Sequence, residues 1–292
     1  MAFALGIVMI HEIFPHKFNN EFKIRDPKPS DFLIRYNGAK VLLKKTCDGY
    51  AIPCVGELFE LQNKTLADFE GHYLFSIDDT AFFLDDKATV ETGAPEGYEY
   101  MGSRTFRSMN PVERMGGATA VHIAHWESLN KFCGRCGNIT IRGEQERSII
   151  CPKCSNVVYP RISPVVIVAV RNGDKLLMAH NIDNPNPRLF LISGFVEIGE
   201  SLEQAVHREV MEEAGLRVKN VRYFGSQPWP FSDSLIAGFT AELDGDDTIH
   251  MQKEELSEAM WVKREDIPEY ETDVSISCCL IENFRRGFTI SC

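Results

Sequence analysis

The sequence predicts an α+β protein in three parts, and three observations carry that expectation. Residues 1–125 alternate short apolar runs with turn residues and show no helix period until their end. Two Cys-x-x-Cys pairs, Cys133/Cys136 and Cys151/Cys154, have 14 residues between them. From Val165 a β-branched run leads through a turn toward a capped, glutamate-rich helix. The expected parts are residues 1–127, 128–160 and 161–292.

A chain of 292 residues exceeds the usual size of one domain, and 44% hydrophobic with 25% charged side chains is ordinary globular composition. With 31 basic against 42 acidic residues the net charge is −11, which argues against bulk binding of nucleic acid through phosphate contacts. The apolar start, Met1–Ile10, lacks a basic leader and is too short to span a bilayer, so a buried first strand and no membrane association are expected. Nine cysteines in a chain of this size, four of them in paired spacing, point to metal ligation in a reducing cytoplasm rather than to disulfides. Cys47, Cys54, Cys278, Cys279 and Cys292 have no such spacing and read as ordinary thiols.

Phe32–Tyr36 and Lys40–Leu43 flank Asn37-Gly38, a hairpin signal, and Tyr73–Ile77 with Ala81–Leu84 flank a second turn. Ala88–Gly117 is rich in Gly, Pro and polar residues and reads as a loop before a short helix, Ala118–Phe132. That helix carries His122 and His125 at i and i+3, a spacing able to serve a metal. No third ligand is evident nearby, so they read as ordinary helix histidines.

Each Cys-x-x-Cys turn aims two thiolates at one centre, and two turns complete a tetrahedron around Zn²⁺. With four sulfur ligands no position remains for water or substrate, which predicts one structural zinc held by Cys133, Cys136, Cys151 and Cys154. Arg135, Lys153 and Arg161 lie near these knuckles, but three cations are too few to favour a nucleic-acid-binding ribbon.

Val165–Val170 and Lys175–His180 around Asn172-Gly173 read as a hairpin. Ser201 with Gln204 forms a capping box and Gly215 offers a left-handed stop, so a helix is expected at Leu202–Ala214. Its Glu209, Glu212 and Glu213 stand at i, i+3 and i+4 and should share one face. Such crowded carboxylates suit Mg²⁺ or Mn²⁺, hard cations that also accept phosphate oxygens. Leu202, Ala205, Val206 and Val210 supply an apolar stripe that would fix the helix to a sheet.

Gly194, Glu200, Arg208, Glu209, Val210, Glu212, Glu213, Gly215 and Leu216 fill the pattern Gly-x5-Glu-x7-Arg-Glu-U-x-Glu-Glu-x-Gly-U, with U aliphatic. Seven fixed residues and two aliphatics coincide by chance on the order of 10⁻⁹ per start. The segment resembles the signature of the Nudix hydrolases, which implies a Nudix α/β/α sandwich with a mixed sheet. Downstream, Ser226-Gln227-Pro228-Trp229-Pro230-Phe231-Ser232-Asp233-Ser234 resembles the SQPWPFPxS signature of the NADH pyrophosphatase family of zinc-ribbon Nudix hydrolases, with Ser232 in place of a proline. Two prolines stiffen this loop, and Trp229 and Phe231 offer flat surfaces to a base or nicotinamide.

The resemblance implies hydrolysis of the NAD(H) pyrophosphate to AMP and nicotinamide mononucleotide by in-line attack of water, and removal of NAD caps from RNA. It implies more than one catalytic Mg²⁺ or Mn²⁺ held by Glu209, Glu213, the Ser193 carbonyl and Glu255, with Glu254 as the alternative because the preceding loop carries one extra residue. Glu209, Glu212 and Glu213 form the catalytic set, and the spacing leaves the general base open among them. Substrate contacts carry over to Glu146, Tyr159, Phe195, the Gln227–Ser234 stretch and Ser277. Gly194, Glu200, Arg208 and Gly215 shape the box, Arg208 by pairing with Glu200. Relatives are generally homodimers. The alternatives are another nucleoside diphosphate derivative, such as ADP-ribose or a diadenosine polyphosphate, and a nucleotide sensor without catalysis.

Overall fold

The computed structural model describes residues 8–86, 93–182, 188–269 and 274–287. They fall into two compact units. One is Glu12–Arg161 with Pro230–Asp233; the other is the described part of Met1–His11, Ile162–Trp229 and Ser234–Cys292.

In chain order the first unit contains β1 (Phe18–Asn19), β2 (Phe32–Ile34), β3 (Lys40–Thr46), β4 (Gly49–Ala51), α1 (Val55–Leu61), β5 (Gly71–Ile77), β6 (Thr80–Asp85), β7 (Tyr98–Gly102), α2 (Pro111–Leu129), β8 (Ile141–Arg142), β9 (Ile149–Ile150) and β10 (Val157–Val158). Three sheets result, ordered β1-β5-β6-β2, β4-β3-β7 and β10-β9-β8. Leu33, Leu42, Val55, Leu58, Phe59 and Phe83 close a core between the first two sheets and α1.

The β5–β6 hairpin forms where the second turn signal placed it. The expected hairpin at Asn37-Gly38 forms but is short. Asn37 N–H donates to Lys40 O at 3.1 Å, Leu42 N–H to Arg35 O at 3.0 Å, and Tyr36 bridges Val41; beyond these residues β2 runs parallel to β6 while β3 joins β4 and β7. A turn signal fixes chain reversal locally, whereas ladder partners are chosen by burial of both faces. The 93–117 stretch is not simply loop: it carries β7, and α2 starts at Pro111. Asn110 caps it by accepting from Glu113 N–H, so the Asn-Pro pair opens a helix here. The helix ends at Leu129, short of Phe132. α1 was not expected; Val55, Leu58 and Phe59 do follow a helical spacing, over too few residues to stand out. Of the expected first strand, residues 1–7 lie outside the described residues, and Val8–Ile10 bury Ile10 without a ladder, because an apolar run signals burial and not pairing.

The second unit contains β11 (Ser163–Asn172), β12 (Lys175–Asn181), β13 (Ile192–Phe195), α3 (Leu202–Ala214), β14 (Val218–Trp229), β15 (Ser234–Leu243), β16 (Leu256–Lys263) and α4 (Ile276–Arg285). Its sheet runs β14-β15-β11-β12-β16, with β13 also on β11. It is mixed, since β11 and β15 are parallel and the other pairs antiparallel. Alternation along β11 sends Val166, Val168 and Val170 into the α3 core and Ile167 and Ala169 into the α4 core. The sheet is therefore covered on both faces, the α/β/α sandwich that the resemblance implied.

Candidate active site and zinc site

The two cysteine pairs sit in matching knuckles. Gly137 N–H donates to Cys133 O at 2.8 Å and Ser155 N–H to Cys151 O at 2.9 Å, with Gly137 and Ser155 both left-handed at φ 71° and 57°. Cys133 and Cys154 sulfurs are 3.6 Å apart, Cys136 and Cys151 3.5 Å, and all four Sγ lie within 4.8 Å of one another. A tetrahedron with Zn–S bonds of about 2.3 Å has edges of about 3.8 Å, so the donor set fits zinc. Without metal the crowded thiols share protons unevenly: against burial, N–H groups of Cys154 and Lys153 and the neighbouring sulfurs bring Cys151 down to about 6, whereas against the Asn156 N–H, burial and the neighbouring sulfurs push Cys154 up to about 12.

In the other unit α3 begins at Ser201, whose Oγ accepts from Gln204 N–H, and stops at Gly215, φ 69°. Ala205, Glu209 and Glu213 form one row along the helix, beside the buried row Val206, Val210 and Ala214. Glu209 and Glu213 are consequently only 8% and 7% exposed. Glu212, expected on the same face, is 100° of helix rotation from Glu213 and turns outward, its side chain 52% exposed.

Arg208 organises the surrounding loop. Its Nε and Nη2 grip Glu200 at 2.6 and 2.9 Å, its Nη1 reaches Glu209 at 2.7 Å and Glu212 at 3.0 Å, and Nη2 also donates to Phe195 O at 2.9 Å. The guanidinium holds the Glu200 carboxyl down at about 2, helped by Glu197 N–H. Glu209 is raised by burial against the pull of Arg208. Burial, followed by the charges of Glu209 and Glu255, pushes Glu213 up to about 8, although Ser193 N–H donates to it. Glu255 acts on both buried glutamates, and its backbone is placed by Gln252, whose N–H bonds Glu213 O at 3.1 Å. The carboxylate of Glu209 lies directly on Gly194: a Cβ there would stand 2.0 Å from its Cδ and Oε1.

Among the described residues, only the cysteine quartet closes to 4.8 Å, so Glu209, Glu212, Glu213 and Glu255 are gathered less tightly, with a guanidinium among them. Buried like charges with raised proton affinity nonetheless form the kind of all-oxygen donor set that a hard divalent cation relieves.

Several implied substrate contacts have definite surroundings. Tyr159 is 58% exposed and its hydroxyl donates to Glu146 at 2.8 Å. Phe195, on β13, is 55% exposed. Gln227 is fully buried, its Nε2 donates to Val274 O at 2.8 Å and its Oε1 accepts from Ile276 N–H at 2.6 Å, strapping β14 to the start of α4. The expected loop is a hairpin corner. Pro228 and Trp229 end β14 opposite Leu235 and Ser234, and Pro230–Ser232 make one 3-10 turn. Proline is tolerated in β14 because that strand is the sheet edge, where a missing N–H costs no ladder bond. Pro230 and Ser234 are buried, Phe231 is half-buried and Ser232 exposed. Ser277 lies in the first turn of α4 with its Oγ buried and without a hydrogen bond. The histidines passed over as ordinary make a contact that helix spacing alone did not signal: His125 Nδ1 meets Asp233 Oδ2 at 2.9 Å.

Comparison with known proteins finds two matching domains. Residues 161–279 match the NUDIX domain family, and residues 128–159 match the NADH pyrophosphatase zinc ribbon domain. The chain is 42% identical over 163 residues to the NAD-capped RNA hydrolase NudC of Salmonella schwarzengrund, and equally to that of Shigella flexneri. These matches span 56% of this chain and 63% of those relatives' length. A solved NUDIX hydrolase from Nitrosomonas europaea is 25% identical with a TM-score of 0.48, covering 54% of this chain and 92% of that one. With its zinc knuckles and glutamate helix each inside a matched domain, the chain combines an NADH pyrophosphatase zinc ribbon domain with a NUDIX domain.

Proposed function

We propose that the protein hydrolyses the pyrophosphate bond of NAD(H), free or as the cap of an RNA, to release nicotinamide mononucleotide and AMP or an RNA ending in it. The observation that carries this reading is the buried pair Glu209 and Glu213, with Glu255 acting on both and the Glu209 carboxylate resting against Gly194. Glu209, Glu213, Glu255 and the Ser193 carbonyl would hold Mg²⁺ or Mn²⁺. When bound, these cations neutralise the diphosphate and acidify water. Arg208, clamped by Glu200, keeps Glu209 in place and orients the Phe195 backbone. Glu212, exposed and held by Arg208 through Oε2, takes the proton of the attacking water at Oε1. Phe195 presents an open aromatic face suited to nicotinamide.

The cap activity is favoured by the name of the curated relatives, NAD-capped RNA hydrolase. A homodimer of chains divided at residues 127 and 160 into N-terminal, ribbon and Nudix modules completes the reading, and a thiolate zinc site suits the reducing cytoplasm. No helix of the described residues is long and apolar enough to cross a membrane. Purified protein with NADH and added Mg²⁺ or Mn²⁺ should yield AMP and reduced nicotinamide mononucleotide on chromatography, and a short NAD-capped RNA should yield a 5′-monophosphate end. Intact NADH and intact cap would defeat the proposal. Cleavage of ADP-ribose or a diadenosine polyphosphate in their place would move the chain to another Nudix substrate.

A further inference from the structure

We propose that His125, supported by His122, is a positioning residue that fixes the tip of the Ser226–Ser234 segment and so sets its fit to substrate; the consequence for substrate rests on reading that segment as a substrate contact. The tip is unusual in its backbone. Asp233 has φ 52°, a left-handed state that side chains other than glycine resist, and such residues persist only where the surroundings hold them. Its own backbone offers little hold, since Asp233 N–H reaches Pro230 O at only 3.5 Å. Position 232, where the resembling signature has a ring-locked proline, is a serine.

The hold comes from α2. His122 and His125 stand three residues apart and share one face of that helix. His125 Nδ1 lies 2.9 Å from Asp233 Oδ2, and because an ionised carboxylate only accepts, the Nδ1 carries the proton and donates. His122 Nε2 donates to Arg161 O at 3.0 Å and stands 3.5 Å from the second oxygen, Asp233 Oδ1. Tyr36 braces the His125 ring edge-on at 6.5 Å between centroids. His125 thus holds one carboxylate oxygen while His122, bonded to Arg161 O, stands beside the other, and Pro230–Asp233 group with the unit that contains α2. They form no metal site, since among the described residues only the cysteine quartet closes to ligand distances. A side-chain anchor from α2 here supplies the rigidity that a third proline would otherwise give to the backbone.

Hydrogen exchange and kinetics on the full-length, zinc-loaded protein test this together. His125→Ala should speed exchange of the Phe231–Asp233 amides by about tenfold and raise KM for NADH by about tenfold while kcat stays within about threefold. His125→Asn, whose amide N–H can take the place of Nδ1–H, should return both readouts to within about threefold of wild type. Unchanged exchange in His125→Ala, a fall in kcat with KM unchanged, or failure of His125→Asn to restore either readout would overturn the anchor. The exchange arm decides the anchor even if the wild type leaves NADH intact, an outcome that would sink the functional reading alone.

Discussion

Gly194→Ala isolates the geometry of the glutamate pair from the stability of the fold. A methyl at this position would stand 2.0 Å from Glu209 Cδ and Oε1 and 2.3 Å from Oε2, where carbon contacts need about 3.5 Å. The carboxylate must therefore retreat by roughly 1.5 Å, which breaks its 2.7 Å bond to Arg208 and moves it out of register with Glu213. Gly194 does not have a positive φ, so alanine suits the backbone and the β11 ladder opposite Val166 should remain. A misplacement of about 1 Å in a reacting constellation costs on the order of 10²-fold in rate, so kcat/KM for NADH should fall by about that factor and the Mn²⁺ needed for half-maximal activity should rise. The assay is timed chromatography of AMP release across a Mn²⁺ titration, with circular dichroism to follow the fold. Activity within about threefold of wild type, with the fold intact, would show that Glu209 is not held where the reaction needs it.

Four further outcomes follow from the same contacts. Arg208→Lys exchanges a two-pronged grip on Glu200 for a single point charge and should lower kcat/KM by about tenfold or more, checked by the same assay. Without added Mg²⁺ or Mn²⁺, Glu213 holds its proton up to about pH 8, so the folded state binds more protons than the unfolded chain between the ordinary glutamate range and pH 8. Stability should fall as pH rises through that window, and Glu213→Gln should flatten the thermal-midpoint profile; an unchanged slope would remove the buried proton. Cys151→Ser should lose zinc by elemental analysis and lower the melting temperature, because the knuckles close around the metal. Gln227→Leu should destabilise by about 1–3 kcal/mol in denaturant titration, since it orphans Val274 O and Ile276 N–H; a higher KM without lost stability would return Gln227 to the substrate.

The helix of the glutamate site was legible because its signals are local. Ser201, Gln204 and Gly215 set its ends, and a 3.6-residue period decides which side chains share a face. The same period, read with three residues of tolerance, put Glu212 with its neighbours, whereas the packed row admits only Glu209 and Glu213. The start of α2 is hidden because Asn110-Pro111 begins a helix with the residue types that also make loops, and the Asn37-Gly38 hairpin pairs only beside its turn before β2 and β3 take other partners.

By itself the sequence determined the four thiols that can surround zinc, the glutamates that can meet a cation, and the turns and caps near them, because each depends on residues a few positions apart. Only the tertiary structure decided that Gly194 lies under Glu209, that Glu255 acts on both buried carboxyls, that Gln227 is spent on α4, and that His125 meets Asp233, 108 residues away. Those pairings arise when separate elements bury their apolar faces against one another, and side-chain periodicity within a single element contains no term for which distant residue will then stand opposite.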